Sequence, residues 1–230
     1  MFVLRQSSER GSADHGWLNS QHTFSFAGYY DPAHMGFSAL RVINQDIVQP
    51  NMGFGTHGHR DMEIISYVLA GNIAHKDNQG NVRTLPAGEF QLMSAGSGIT
   101  HSEYNHSDKD PLQFLQIWIE PNFKGQTPGY QQKDFGQNEG LTHIISSTGI
   151  NDTLRVKQDM HLHQLILSPS QQVELSSQLP NQYVQLVSGK LSVNGVVMFA
   201  GDGLKITDEE KLDFKSIGEK VLKALVFELP

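Results

Sequence analysis

The fold is decided by one stretch of sequence, Thr56-His57-Gly58-His59-Arg60-Asp61-Met62-Glu63. Its two histidines stand at alternate positions, and Glu63 follows four residues after the second. Further along, His101-Ser102-Glu103 repeats the alternate spacing with a histidine and a carboxylate. A β-strand sends alternate side chains to the same face, so each pair would face one way. If the two strands are neighbours on the inner wall of a small barrel, three imidazoles and a carboxylate converge.

Such a donor set is typical of a divalent transition metal, because imidazole nitrogen and carboxylate oxygen are common protein ligands of these ions. Burying several imidazoles and carboxylates without a cation would be costly. The sequence therefore predicts a metal site at His57, His59 and the His101–Glu103 pair. Glu63 is either a further ligand or an acceptor for a hydrogen bond from a ligand imidazole, and spacing alone does not distinguish the two.

A second pair of alternate histidines, His161-Leu162-His163, has none of this context. No glutamate follows it at the same distance, and no later histidine–carboxylate pair accompanies it. We predict that these histidines are exposed or hydrogen-bonded rather than metal-bound. The remaining histidines are interpreted as ordinary polar residues, and His75 is the least certain of them because it lies just after the turn at Gly71.

The rest of the chain is typical of short strands separated by turns. Alternating or apolar runs predict strands at His22–Phe26, Phe37–Ile43 and Leu112–Ile119. The second half repeats the first in weaker form: Tyr183–Leu191 resembles Tyr67–Ile73, and each is followed by a second glycine turn. We therefore predict an all-β protein of two tandem barrels.

The predicted boundary lies within a segment that is rich in Gly, Gln, Pro and Asn, from Lys124 to Gly140, which we interpret as a linker. Residues 1–133 would form the metal-binding domain. Residues 134–230 would form a degenerate domain without metal.

Composition excludes several classes of function. The chain has 17 basic and 24 acidic residues and a formal charge of -7, so direct nucleic-acid binding is not expected. It has no cysteine, which excludes disulfides, zinc–thiolate sites and cysteine nucleophiles. Neither a signal peptide nor a membrane-spanning run is recognisable, and we expect a cytoplasmic protein.

An aromatic cluster near the start of the chain is a candidate lining for a pocket that accepts a flat substrate. The alternative is that these side chains belong to the core and its rim. The cluster consists of Trp17, Phe24, Phe26, Tyr29 and Tyr30.

Several motifs together resemble a known family. They are Asp14-His15-Gly16-Trp17-Leu18, His22-Thr23-Phe24-Ser25-Phe26, Tyr30-Asp31-Pro32, His57-x-His59-Arg60, Tyr67-Val68-Leu69 and Met93-Ser94-Ala95-Gly96-x-Gly98-Ile99-x-His101-Ser102-Glu103. The two histidine segments are similar to the two cupin motifs, and the whole set resembles the pirin family of bicupins. Within that family, the chain is most similar to the bacterial pirin-like quercetin 2,3-dioxygenases.

The resemblance implies that His57, His59, His101 and Glu103 are the metal ligands and that Glu63 lies behind them. It implies iron(II) first, although the donor set itself would also accept nickel, cobalt, copper, manganese or zinc. Gly58 departs from the family pattern, where proline is usual, but the change removes no donor atom.

The resemblance also implies a reaction. A flavonol would lose the proton of its 3-hydroxyl to a carboxylate, Glu103 first and Glu63 second. Dioxygen would then open the heterocyclic ring with loss of carbon monoxide. Two alternatives stay open: a non-catalytic regulatory or redox-sensing protein that binds a protein partner, and a bicupin with another small-molecule substrate. We expect a monomer.

Overall fold

The computed structural model describes residues 1–230, and the chain folds almost entirely into β-strands. The other regular elements are two short 3-10 helices, Ser7–Glu9 and Ile150–Asp152. No helix is long and apolar enough to cross a membrane.

Twelve strands precede residue 134: β1 (Phe2–Arg5), β2 (Gly11–Asp14), β3 (Leu18–His22), β4 (Leu40–Val48), β5 (Gly53–His59), β6 (Glu63–Ala70), β7 (Asn72–Asp77), β8 (Val82–Pro86), β9 (Phe90–Ser94), β10 (Ile99–Asn105), β11 (Leu112–Ile119) and β12 (Gly129–Lys133). Ten follow: β13 (Gly140–Ser146), β14 (Leu154–Arg155), β15 (His161–Leu167), β16 (Gln172–Ser176), β17 (Asn181–Ser188), β18 (Lys190–Val193), β19 (Val196–Phe199), β20 (Gly203–Thr207), β21 (Lys211–Ser216) and β22 (Leu222–Leu229).

The first barrel is the compact unit formed by residues 11–136 and 156–158. A seven-stranded sheet in the order β12-β9-β6-β11-β4-β3-β2 faces a four-stranded sheet in the order β5-β10-β7-β8. Val68 and Phe114 from the larger sheet share a core with Ile73 and Leu85 from the smaller one. Burial of apolar side chains between the sheets therefore holds the barrel closed.

The second barrel is formed by residues 1–10, 137–155 and 159–230. Its sheets have the orders β1-β20-β17-β22-β15-β13-β14 and β16-β21-β18-β19. Leu165 and Val184 from one sheet pack in the same core as Leu191 and Phe214 from the other. The prediction of two tandem all-β barrels is confirmed.

The units differ from the expected division into residues 1–133 and 134–230, because residues 1–10 belong to the second barrel and residues 134–136 and 156–158 belong to the first. The N-terminal strand β1 pairs with β20 and so belongs to the second barrel. The predicted linker, Lys124–Gly140, contains β12, which pairs with β9 as an edge strand of the first barrel. The prediction of a linker is wrong for residues 129–133, because a polar sequence is also compatible with an edge strand that pairs on one side only.

Two of the predicted strands are displaced. The strand Leu112–Ile119 is confirmed, but β3 ends at His22, where His22–Phe26 was expected to begin. Residues 23–26 belong to a loop instead, in which Thr23, Phe24 and Ser25 are all buried and the backbone N–H of Ser25 donates to the carbonyl of His34. Similarly, β4 begins at Leu40 rather than at residue 37.

Candidate metal centre

Strand pairing brings the predicted donors together. β10 lies between β5 and β7, and His101 is directly opposite His57 on β5. On its other side β10 places Glu103 opposite His75 on β7. The side chains of His101 and Glu103 are both buried, whereas alternate residues of β10 are less so. The two alternating motifs therefore face one another as the sequence predicts.

The donors form two groups that share one residue. The ligand atoms of His57, His59 and His101 lie within 4.8 Å of one another, and those of His75, His101 and Glu103 do the same. The three rings of the first group have centroid separations of 4.5–4.9 Å. Glu103 is therefore close to His101 and His75, and His101 links it to the group formed with His57 and His59.

Several ligand atoms in this cluster are buried without a hydrogen-bond partner. They are Nε2 of His59, both ring nitrogens of His101 and Oε2 of Glu103. In contrast, Nδ1 of His57 lies 2.8 Å from the carbonyl oxygen of Gly55, to which it donates, and this leaves Nε2 free to ligate. Buried polar atoms are normally paired, so unpartnered atoms here point to a cation-binding site.

The protonation states agree with metal binding. Burial, with a contribution from His57, lowers the pKa of His59 to about 4. Burial and the neighbouring histidines lower the pKa of His101 to about 3. Both imidazoles are therefore neutral and able to donate lone pairs. Burial raises the pKa of Glu103 to about 7, and a nearby cation would favour its charged form. The residues fit a divalent transition metal.

Glu63 lies outside both donor groups. Its carboxylate accepts hydrogen bonds from Ser94 Oγ at 2.8 Å and from the backbone N–H of Lys157 at 3.2 Å. Burial raises its pKa. No hydrogen bond joins Glu63 to a candidate ligand imidazole. The structure therefore differs from the prediction that Glu63 supports the metal ligands from behind. Glu63 instead fixes the segment 156–158 to β6 of the first barrel.

His75 is the residue that sequence reasoning missed. Its Nε2 lies 3.1 Å from Oδ2 of Asp77, whose carboxylate also accepts hydrogen bonds from Asn81 and from the backbone of Gln79. This anchored carboxylate orients the ring so that Nδ1, which is buried and unpartnered, is the free nitrogen. The signal was the alternation of His75 and Asp77 along β7, but only the register with β10 gives it meaning.

A cavity of about 770 Å³ in the first barrel reaches this cluster, and His57 and His59 form part of its wall. Its wall includes five aromatic side chains, Trp17, Phe26, Tyr29, Phe54 and Trp118. Of the aromatic residues predicted to line a pocket, Trp17, Phe26 and Tyr29 do so. Phe24 is core, and Tyr30 is 73% exposed.

The second histidine pair faces the interior of the second barrel. His163 Nε2 lies 2.9 Å from Glu228 Oε1, and His161 Nδ1 lies 3.1 Å from Nε2 of His143 on the neighbouring strand. They are hydrogen-bonded, as predicted, and they do not belong to any group of three converging donors.

Comparison with known proteins gives family matches for both halves of the chain. Residues 3–119 match the Pirin family, and residues 143–229 match the quercetinase C-terminal cupin domain. The quercetin 2,3-dioxygenase of Escherichia coli K12 is 47% identical over 231 residues, which cover 100% of this chain and 99% of that protein.

Solved structures agree as well. The crystal structure of YhhW from E. coli superposes with a TM-score of 0.97 at 46% identity, covering 100% of this chain and 98% of that one. The structure of bacterial pirin YhhW in complex with nickel(II) gives a TM-score of 0.96 at 46% identity, with 100% and 99% covered.

Proposed function

The chain belongs to the pirin family, and from this membership we propose that it is a metal-dependent dioxygenase of the quercetin 2,3-dioxygenase type. The reaction would cleave the heterocyclic ring of a flavonol with dioxygen and release carbon monoxide. The full-length similarity to a quercetin 2,3-dioxygenase supports the reaction class.

The observation that carries the proposal is the aromatic cavity that borders two of the candidate ligands. Phe26 and Trp118 meet edge to face at 5.3 Å, and Trp118 meets His59 in the same way at 5.1 Å. Trp17 and Phe54 form another such pair at 5.3 Å. A flat aromatic molecule can pack against these rings while one edge reaches the histidines. An aromatic-lined cavity of this kind favours a small-molecule enzyme over a protein-docking surface.

We propose His57, His59, His101 and Glu103 as the ligands of one divalent metal, with iron(II) as the first choice. Nickel(II) is the first alternative, because a structure of the E. coli relative contains it; cobalt, copper, manganese and zinc follow. A bound divalent ion would supply Lewis-acid stabilisation of a deprotonated substrate hydroxyl. The protein residues hold the ligands in place and keep the surroundings apolar.

Glu103 is the proposed proton acceptor. A general base must lie within hydrogen-bond reach of the proton that it takes, and Glu103 belongs to a donor group that would hold the metal beside the substrate hydroxyl. The side chain of Gln116, which borders the cavity, favours the charged form of Glu103 and so lowers its pKa. Glu63 remains the second candidate, but its carboxylate is already engaged by Ser94 and Lys157.

The test is turnover after reconstitution. Metal-free protein would be loaded anaerobically with iron(II), nickel, cobalt, copper, manganese or zinc and then mixed with quercetin and air, following flavonol absorbance and carbon monoxide. We expect metal-dependent loss of flavonol that is abolished in His59→Ala and retained in His106→Ala, a histidine outside both donor groups. Metal binding without flavonol loss under any metal would reject the activity.

The regulatory alternative, in which the metal reports redox state to a protein partner, remains a prediction. So do the cytoplasmic location, the monomeric state and the absence of direct nucleic-acid binding. In the turnover experiment, the regulatory hypothesis predicts that the protein binds metal tightly but does not consume flavonol.

A further inference from the structure

One wall of the cavity is polar, although the rest is aromatic. Its side chains form what we call the polar strip: Ser20, His22, Asn44, Asp46 and Gln116. They come from three adjacent strands and lie in register. Ser20 of β3 is opposite Asp46 of β4, and Asn44 is opposite His22 on one side and Gln116 of β11 on the other. Cross-strand partners share a face of the sheet, so the strip is continuous.

The strip is deeply buried but incompletely paired. His22 is 4% exposed, and Asn44 and Asp46 are each 2% exposed. His22 Nδ1 and Asn44 Oδ1 have no hydrogen-bond partner. Asp46 accepts a hydrogen bond from the hydroxyl of Ser20. A buried polar atom without a partner is unfavourable by an amount comparable to a lost hydrogen bond, so such atoms on a cavity wall point to a ligand.

The chemistry of the strip selects the ligand group. The carboxylate of Asp46 and the unpartnered Oδ1 of Asn44 are acceptors, and they need a donor. They are two residues apart on β4, about 6.6 Å along the strand, and their side chains emerge from the same face. Hydroxyl groups on one aromatic ring can reach two acceptors at this spacing, while the ring itself packs against the aromatic side chains.

We propose that the polar strip is a recognition site for phenolic hydroxyl groups, at which Asn44 and Asp46 accept hydrogen bonds from a polyhydroxylated aromatic ligand. The inference rests on the proposed function, since it concerns the same cavity. It adds that the cavity distinguishes hydroxylated flavonols from flavonols that lack ring hydroxyls. These residues bind and position the ligand, in addition to the groups at the metal.

Binding can be measured separately from turnover. Trp17 and Trp118 are the two tryptophans of the chain, and both line the cavity, so a bound flavonol should quench the intrinsic fluorescence. Metal-loaded protein would be titrated without oxygen with 3-hydroxyflavone, which carries no other hydroxyl, then with galangin, kaempferol and quercetin. These carry increasing numbers of ring hydroxyls.

We expect the best hydroxylated flavonol to bind at least about tenfold more tightly than 3-hydroxyflavone, as one or two hydrogen bonds to buried acceptors would give. Asn44→Leu and Asp46→Leu, which each remove an acceptor, should lose this preference and keep the affinity for 3-hydroxyflavone within about threefold. Asn19→Leu is the matched control, because Asn19 lies beside Ser20 on β3 but is exposed on the opposite face. It should retain the preference.

The outcomes separate the two proposals. If the wild-type protein binds all four flavonols equally, or if both variants keep the preference, the inference is overturned while the proposed activity stands. If no flavonol binds, the proposed function and the inference both fail. Circular dichroism and the thermal midpoint of each variant show whether it is folded, and either variant alone suffices for the comparison.

Discussion

Protons should compete with the metal at Glu103. Burial raises the pKa of this carboxyl to about 7, so in the metal-free protein it holds a proton below that pH. The pKa values of His59 and His101 are held near 4 and 3, so these two rings carry no competing proton above pH 5. A carboxylate must lose its proton to ligate, so metal affinity should fall as the pH falls below 7.

The size of this pH effect on metal affinity follows from the raised pKa of Glu103. Well below the pKa, each pH unit weakens binding about tenfold through Glu103, which is about 1.4 kcal/mol. Between pH 7, where the carboxyl is half ionised, and pH 5 the contribution of this one carboxyl is therefore about 50-fold in the dissociation constant. Above pH 7 its contribution should level off, because the carboxyl is already ionised.

Isothermal titration with nickel(II) or cobalt(II), in buffers of different ionisation enthalpy, measures both the affinity and the protons released. Glu103→Gln should bind more weakly at pH 8 and should release one proton fewer per metal at pH 5.5. Glu63→Gln is the control, since Glu63 is also a buried carboxyl with a raised pKa but lies outside the donor groups. Equal proton release by wild type and Glu103→Gln would refute the reasoning, and loss of release in Glu63→Gln would transfer the role.

Two further predictions concern the framework. Burial alone would raise the pKa of Glu228, but hydrogen bonds, above all the one from His163, hold it at about 2. The ionised carboxylate therefore stabilises the folded protein at pH values above the pKa of the unfolded chain. This stabilisation is lost as the pH falls through 2. Glu228→Gln should cost on the order of 3 kcal/mol near neutral pH and little near pH 2, measured by urea unfolding against the exposed control Glu174→Gln; a pH-independent loss would contradict this. A Cβ at Gly53 would lie 2.3 Å from the carbonyl oxygen of Glu103, so an alanine there should force β5 away from β10 and weaken metal binding. An alanine at Gly55, where the nearest atom is at 3.8 Å, should be tolerated, and equal metal affinity in the two variants would count against this account of the strand pairing.

Much of the site was predictable because it depends on local geometry. His57 and His59 share a face, as do His101 and Glu103, since side chains alternate along any strand. That β5 and β10 are neighbours was an economical guess from the two motifs, and the His57–His101 register agrees with it.

The remainder of the site depends on which strands are neighbours. His75 acquires a role only because β7 places it opposite Glu103, and Asn44 joins the polar strip only because β3 and β11 flank β4. Alternation within a single strand does not specify these partners.

The pairing of β1 with β20 could not be predicted from the sequence either. It joins Phe2 to Ile206, and so depends on contacts between opposite ends of the chain. The strand β12 was not predicted because its polar composition is also typical of a linker.

The central claim is that one metal ion, held by the histidine–glutamate cluster, supports flavonol cleavage. The most direct test is to titrate metal-free protein with iron(II) or nickel(II) and to record the initial rate of carbon monoxide release at each metal-to-protein ratio. We predict a linear rise that ends at one equivalent, with no release before metal is added. Full activity without metal would contradict the account, and so would a rise that continues to two equivalents, which would mean that both donor groups must be filled.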